Sequence, residues 1–230
     1  MNILLCNDDG YFSKGIEILK NKLSRYGKVI IVAPRKAMSA KSVAITLINA
    51  VEVKKIAEDI FYIDGTPADA VAFGLSSLDI KFDLVVSGCN DGLNVSYDTM
   101  YSGTIGACLQ ALTYRIPAIA LSCPRNFEIL DNGNFERVMD YIFKNNLLST
   151  EYLLNVNFPF GKVVEEIKMT SIYYREETTF YVHTSGDLYL ADRLIHDEEC
   201  EEKDSDVYAV YHKQVSISKL RKTNDIREEK

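Results

Sequence analysis

No part of the 230-residue sequence stays apolar for the roughly 18 to 20 residues that a bilayer-spanning helix needs. The first residues show no basic region, long apolar core or small-residue cleavage site, so no secretory signal is expected. CxxC spacing is missing as well. The five cysteines, Cys6, Cys89, Cys108, Cys123 and Cys200, are an odd number scattered along the chain. They predict reduced, mostly buried thiols in a cytosolic protein rather than a disulfide framework or a zinc site. Histidine is scarce, and His183, His196 and His212 all lie late in the sequence. A Ser-His-Asp triad in the first part of the chain is therefore unsupported, and no GxSxG elbow exists. GxGxxG is absent. Gly10 and Gly15 have GxxxxG spacing, but Ile16 follows where a phosphate-binding loop needs Lys. Positive charge is in deficit, with a net charge of -7 and a pI near 5.1. Such a chain repels phosphate backbones, so nucleic acid polymers are not expected partners. A small phosphorylated substrate still fits if a metal supplies local positive charge.

What is present is the composition of a globular protein, 47% hydrophobic and 26% charged. Over the first 160 or so residues, short apolar runs alternate with helix-like stretches. NILLCN, KVIIVAP, DIFYID, FDLVVSG, IPAIALS and YLLNVNFP read as strands. GIEILKNKLSRYG reads as a helix ending at Gly27, TPADAVAFGLSSL as one capped by Thr66 with Pro67 first, SGTIGACLQALTYR as one capped by Ser102, and NFERVMDYIFKNN as a fourth. AITLINAVEVKKI reads as extended or hairpin structure. Continuous apolar strands separated by helices predict a doubly wound, Rossmann-like α/β fold with a mostly parallel sheet. Residues 1–160 are expected to form this core, and residues 161–230 a C-terminal extension. In that extension EEIKMTSIYY, TFYVHTSGDLYLA and VYAVYHKQVSISKL predict antiparallel hairpins, with Ser185-Gly186-Asp187 as one turn. The acidic stretch Asp197 to Glu202 predicts a solvated loop.

Four polar segments follow predicted strands: Asp8-Asp9-Gly10, Pro34 to Ser42, Ser87 to Asn94 and Ser122 to Asn126. In a parallel sheet all four emerge on one edge, where such folds bind ligands. Adjacent carboxylates repel, and burial raises the pKa of at least one. A divalent cation reverses that cost, and Asp8, Asp9, Ser39 and Asn90 offer hard oxygen ligands for Mg2+ or Mn2+. The alternative is that one acid caps the next helix and the other is exposed. Ser102, Gly103 and Thr104 open a helix, whose N-terminus suits a phosphate. Plain capping by Ser102 is the alternative there.

NDDG at 7–10, a serine-bearing segment after the second strand, GTPAD at 65–69, SGCNDGLN at 87–94, YSGTIGA at 101–107 and IPAIALS at 116–122 occur in this order. The set resembles the SurE family of metal-dependent nucleotidases. The resemblance covers most of residues 1–125 and returns weakly near the end. It implies hydrolysis of nucleoside 5'- and 3'-monophosphates, trimming of short polyphosphate by some members, and one divalent cation per subunit. The family's metal ligands fall on Asp8, Asp9, Ser39 and Asn90, and its phosphate contacts on Asn94, Ser102, Gly103 and Thr104. It also implies a homodimer or homotetramer in which C-terminal segments are exchanged. The serine segment departs from the family's small glycine-bearing turn, because Ala40 and Lys41 follow Ser39; Ser42 is a competing ligand. Arg115 replaces a common glycine.

The chemistry this predicts is metal-assisted hydrolysis of a phosphate monoester. Asp8 or Asp9 orients a water or accepts its proton, or serves as the nucleophile. Asn94 and the N–H groups near Ser102 to Thr104 hold the developing charge. Two rival classes are a receiver-like Mg2+-binding signalling module and a non-catalytic nucleotide binder. The first needs an Asp after the third strand and a Lys after the fifth, where this chain has Ser87-Gly88 and Cys123-Pro124.

Overall fold

The computed structural model describes residues 1–125, 127–174, 178–194, 197 and 200–221. Asn126, His196 and the acids Glu198 and Glu199, singled out above, lie outside the described residues. Nine strands form one twisted sheet: β1 (Asn2–Cys6), β2 (Lys28–Pro34), β3 (Val53–Ala57), β4 (Ile60–Ile63), β5 (Leu84–Asp91), β6 (Ala118–Cys123), β7 (Tyr152–Asn157), β8 (Glu166–Thr170) and β11 (Gln214–Arg221). Their spatial order is β3-β4-β2-β1-β5-β6-β7-β11-β8. From β4 to β7 every neighbour is parallel; β3 and β11 run antiparallel to β4 and β7. This is the doubly wound, mostly parallel α/β fold that the alternating pattern predicts.

The central strands are buried on both faces, so they carry continuous apolar runs. One face packs Ile3, Leu5, Ile31 and Val86 against α1 (Lys14–Leu23) and α5 (Asn134–Lys144). The other packs Leu4, Ile30 and Val85 against α2 (Pro67–Ser77) and α4 (Gly103–Thr113). A short helix, α3 (Asp98–Tyr101), precedes α4. Thr66 and Asp69 form a reciprocal capping box on α2 with Pro67 in its first turn, and Ser102 caps α4. The first helix ends earlier than expected, at Leu23, with Ser24 rather than Gly27 at the cap. Gly27 serves packing instead: a Cβ there would sit 1.9 Å from the Met1 carbonyl oxygen.

The late segments divide. β9 (Thr178–Ser185) and β10 (Leu188–Leu194) form the expected hairpin, apart from the main sheet. VYAVY is not a strand. It forms α6 (Asp206–Tyr211), because Ser205 caps it and Val207 and Val210, three residues apart, bury one face against Val95 and Cys200. Its Tyr and Val content reads as β in isolation. β11 and β8 are not a hairpin either; they pair in parallel and extend the main sheet. Cys200 is buried inside the acidic stretch, while Glu201 and Glu202 are exposed as expected. All five cysteines are buried and unbonded. Among the described residues no helix is long and apolar enough to cross a membrane.

Candidate active site

The acid pair sits in the turn after β1, and neither acid caps the next helix. Ser13 does so, accepting the Ile16 N–H at 3.4 Å. Asn7 shapes the turn by donating to Ser13 Oγ at 2.6 Å and accepting the Gly10 N–H at 3.2 Å. Asp8 is buried, and its carboxylate accepts the Thr104 hydroxyl at 2.5 Å. Burial raises its pKa; the Thr104 hydroxyl and the N–H groups of Gly103 and Thr104 pull it back. The N-terminus of α4 therefore holds a carboxylate of this chain. That approach requires glycine at 103, since a Cβ would lie 2.8 Å from the Asp8 Cβ. Asp9 is half-buried and accepts the Asp91 N–H. Its pKa is pushed up to about 6, first by burial and then by the charge of Asp8.

Asp91 belongs to the end of β5, where the strand bulges. The register with β6 shifts between Ser87 and Asn90, so that Asn90 and Asp91 lie opposite Ser122 and Cys123. Gly88 permits this with a φ of +130° at a point where a Cβ would be 2.2 Å from the Leu121 carbonyl oxygen. Asn90 donates its amide N–H to the Gly92 carbonyl at 2.9 Å, so its side-chain oxygen is the atom that could meet a cation. Asn94 is buried and held at four points. Its N–H donates to Asn157 Oδ1 at 2.8 Å and its side chain to Ser122 Oγ at 2.8 Å. Its carbonyl accepts from Asn155 at 2.8 Å and Asn157 at 3.0 Å. Ser102 Oγ accepts the Ile105 N–H at 3.2 Å.

The segment after β2 crosses the acid pair. Met38 donates its N–H to the Asp8 carbonyl at 2.7 Å, which brings its neighbour Ser39 to this rim in an exposed turn. The N–H of Ser42 goes to the Tyr101 carbonyl at 2.9 Å, toward the start of α4. Further on, the Thr46 N–H and hydroxyl both donate to Asp69, at 2.8 and 2.7 Å. GTPAD thus anchors this loop as well as capping α2.

The family model described as Survival protein SurE matches residues 3–179. The chain belongs to the SurE family. It is similar to 5'-nucleotidase SurE of Acinetobacter baumannii strain ATCC 17978, at 39% identity over 76% of this chain and 71% of that one. It is 37% identical to 5'-nucleotidase SurE of Thermoanaerobacter sp. strain X514, over 96% of this chain and 92% of that one. The crystal structure of the SurE protein from Aquifex aeolicus superposes with a TM-score of 0.83 at 32% identity, covering 98% of this chain and 95% of that one.

The donors fit a hard cation. Burial first and the charge of Asp8 second raise the Asp9 pKa, and a positive ion beside the pair would offset that penalty. Among the described residues no three His, Cys, Asp or Glu side chains gather as ligands. A cation here would rest on two carboxylates, completed by amide and hydroxyl oxygens and water, a set that suits Mg2+ or Mn2+. Sequence reasoning missed four supports of the site: Thr104 as the partner of Asp8, Asn155 and Asn157 beneath Asn94, and Asp206. The last is buried and accepts the Ser96 N–H at 2.8 Å and the Tyr173 N–H at 2.9 Å, tying the 92–96 turn to the late chain. Two asparagines two residues apart in NVNFP share one face of an otherwise apolar strand. That pattern was the signal for Asn155 and Asn157.

Proposed function

We propose that the protein is a metal-dependent phosphomonoesterase that hydrolyses nucleoside 5'-monophosphates to nucleoside and phosphate, with 3'-monophosphates as further substrates. The observation that carries this reading is the charged pair Asp8-Asp9, forced together at the sheet rim beside the N-terminus of α4. The curated relatives named 5'-nucleotidase SurE give the substrate class. Asp8, Asp9, Ser39 and Asn90 are the residues that hold one divalent cation, Mg2+ or Mn2+. When bound, that cation neutralises phosphate oxygens and acidifies water.

The remaining work belongs to the chain. Thr104 fixes the orientation of Asp8 through its hydroxyl. Asp8 or Asp9 orients the attacking water or accepts its proton. Asn94, Ser102, Gly103 and Thr104 receive the phosphate, beside the Asp8 carboxylate that already accepts the Gly103 and Thr104 N–H groups. The Asn155–Asn157 network keeps Asn94 aligned without rearrangement during reaction.

The hairpin β9–β10 exposes Phe180, Tyr181, Val182, Leu188, Tyr189 and Leu190. That apolar surface supports a homodimer or homotetramer assembled through the C-terminal extension. The unbonded thiols support a reducing, cytosolic setting. The deciding experiment is a phosphate-release panel over nucleoside monophosphates and an aryl phosphate, with and without Mg2+ or Mn2+. Release only with cation is the expected result; binding without release would make the protein a nucleotide carrier instead.

A further inference from the structure

A cleft of about 620 Å³ opens past the carboxyl ends of β5, β6 and β7. Its volume lies within the range of roughly 300–1,000 Å³ common to small-molecule sites. Gly92 and Leu93, just past β5, form one wall, and Pro124 and Arg125, just past β6, another. The third wall comes from later in the chain, with Phe160 after β7 and Tyr211 at the end of α6. Gly92 directly follows Asp91, whose N–H reaches Asp9, so one wall of the cleft is continuous in sequence with a neighbour of the acid pair.

The far wall is aromatic and solvent-exposed. The Phe160 and Tyr211 rings lie 5.0 Å apart between centroids, inclined at 43°. They are 44% and 37% exposed. The Phe160 N–H donates to the Val210 carbonyl at 3.2 Å, which fixes the two segments side by side. Two neighbouring aromatic rings at the solvent edge of a cleft offer a flat ligand apolar area at little entropic cost. Arg125 adds a planar donor for ring acceptors.

We infer that this cleft binds the nucleoside half of the substrate, with the base stacked on the Phe160–Tyr211 pair. The inference rests on the nucleotidase reading above and assigns its specificity to residues on both sides of the 160 boundary. The chain after β7 then selects what the acid pair cleaves. Base identity is read weakly, because stacking accepts every base.

The test compares full-length wild type with Phe160→Ala and Tyr211→Ala. The quantity read is the ratio of kcat/KM for adenosine 5'-monophosphate to that for ribose 5-phosphate, with Mn2+ present. Each substitution is expected to lower the ratio about tenfold, through KM for the nucleotide, and Phe160→Trp to restore it. Because ribose 5-phosphate shares the phosphate site, general damage lowers both rates and leaves the ratio fixed; an unchanged ratio overturns the assignment. Calorimetric titration with adenosine separates the two levels of the argument. If wild type turns over neither phosphate ester, the nucleotidase reading fails. Adenosine binding that weakens at least about fivefold in both alanine variants upholds the cleft even then, and equal adenosine affinity in all three proteins sinks it.

Discussion

Asp9 carries a proton affinity set by its neighbours, and two consequences follow at the scale of single side chains. In the metal-free protein its folded pKa, about 6, stands above the unfolded carboxyl value. The folded state therefore binds the proton more tightly. The associated stability is full below the unfolded value and is lost as pH rises through about 6. In chelator, the Tm of wild type should fall more between pH 5 and pH 7.5, relative to Asp9→Asn, than that of the variant; parallel pH curves would contradict the raised value. Added Mn2+ should restore more of the Tm at pH 7.5 than at pH 5. Second, Asp8→Asn and Asp9→Asn should each lower metal-dependent phosphate release by about 10³-fold or more while the circular dichroism spectrum stays native. Gly103→Ala tests the close approach separately. A methyl group 2.8 Å from the Asp8 Cβ displaces the carboxylate, and activity should drop about 100-fold, as misplacement by an ångström does. The acid pair was legible in the sequence because two carboxylates at the end of an apolar run need a physical reason. Its partner Thr104, 96 residues away, was visible as the opening of another helix and a phosphate contact, not as a neighbour of Asp8.

At the scale of elements, local patterns read well where helix and strand periodicities differ. The six core strands and four main helices follow from apolar runs, caps and prolines. VYAVY failed for the opposite reason. Six residues hold less than two helical turns, so composition outweighed period, and the face buried on Val95 became apparent only in three dimensions. That helix matters to the site because Asp206 at its start accepts three backbone N–H groups, from Ser96, Tyr173 and Val207. Asp206→Asn turns one acceptor into a donor facing a donor. The expected cost is about 1–3 kcal/mol, or a Tm lower by roughly 2–10 °C. KM for nucleotide should rise with it, since the 92–96 turn loses its anchor; a variant with wild-type Tm and KM would show that the Asp206 contacts are dispensable.

At the scale of the whole molecule, the hairpin β9–β10 stands outside the sheet, and the main core does not depend on its pairing. Replacing residues 178–194 with a short Gly-Ser linker should leave the far-ultraviolet spectrum of the sheet in place and yield a smaller species by sedimentation. An unchanged sedimentation coefficient per subunit assembly would remove the hairpin from the interface. The sequence pattern marked this hairpin by its Ser-Gly-Asp turn, but the place of β11 was not legible, because strand order depends on contacts between distant segments. β11 lies between β7 and β8 and completes the interior of the sheet.

That insertion has a consequence for how the protein is made. On the ribosome, β7 emerges and waits for a partner encoded on the order of 60 residues later, several seconds at about 5–20 residues per second. Throughout that interval the strand bearing Asn155 and Asn157 offers an open hydrogen-bonding edge to any passing chain. Slow translation of the last quarter of the message would then lower the yield of active enzyme without altering a single amino acid.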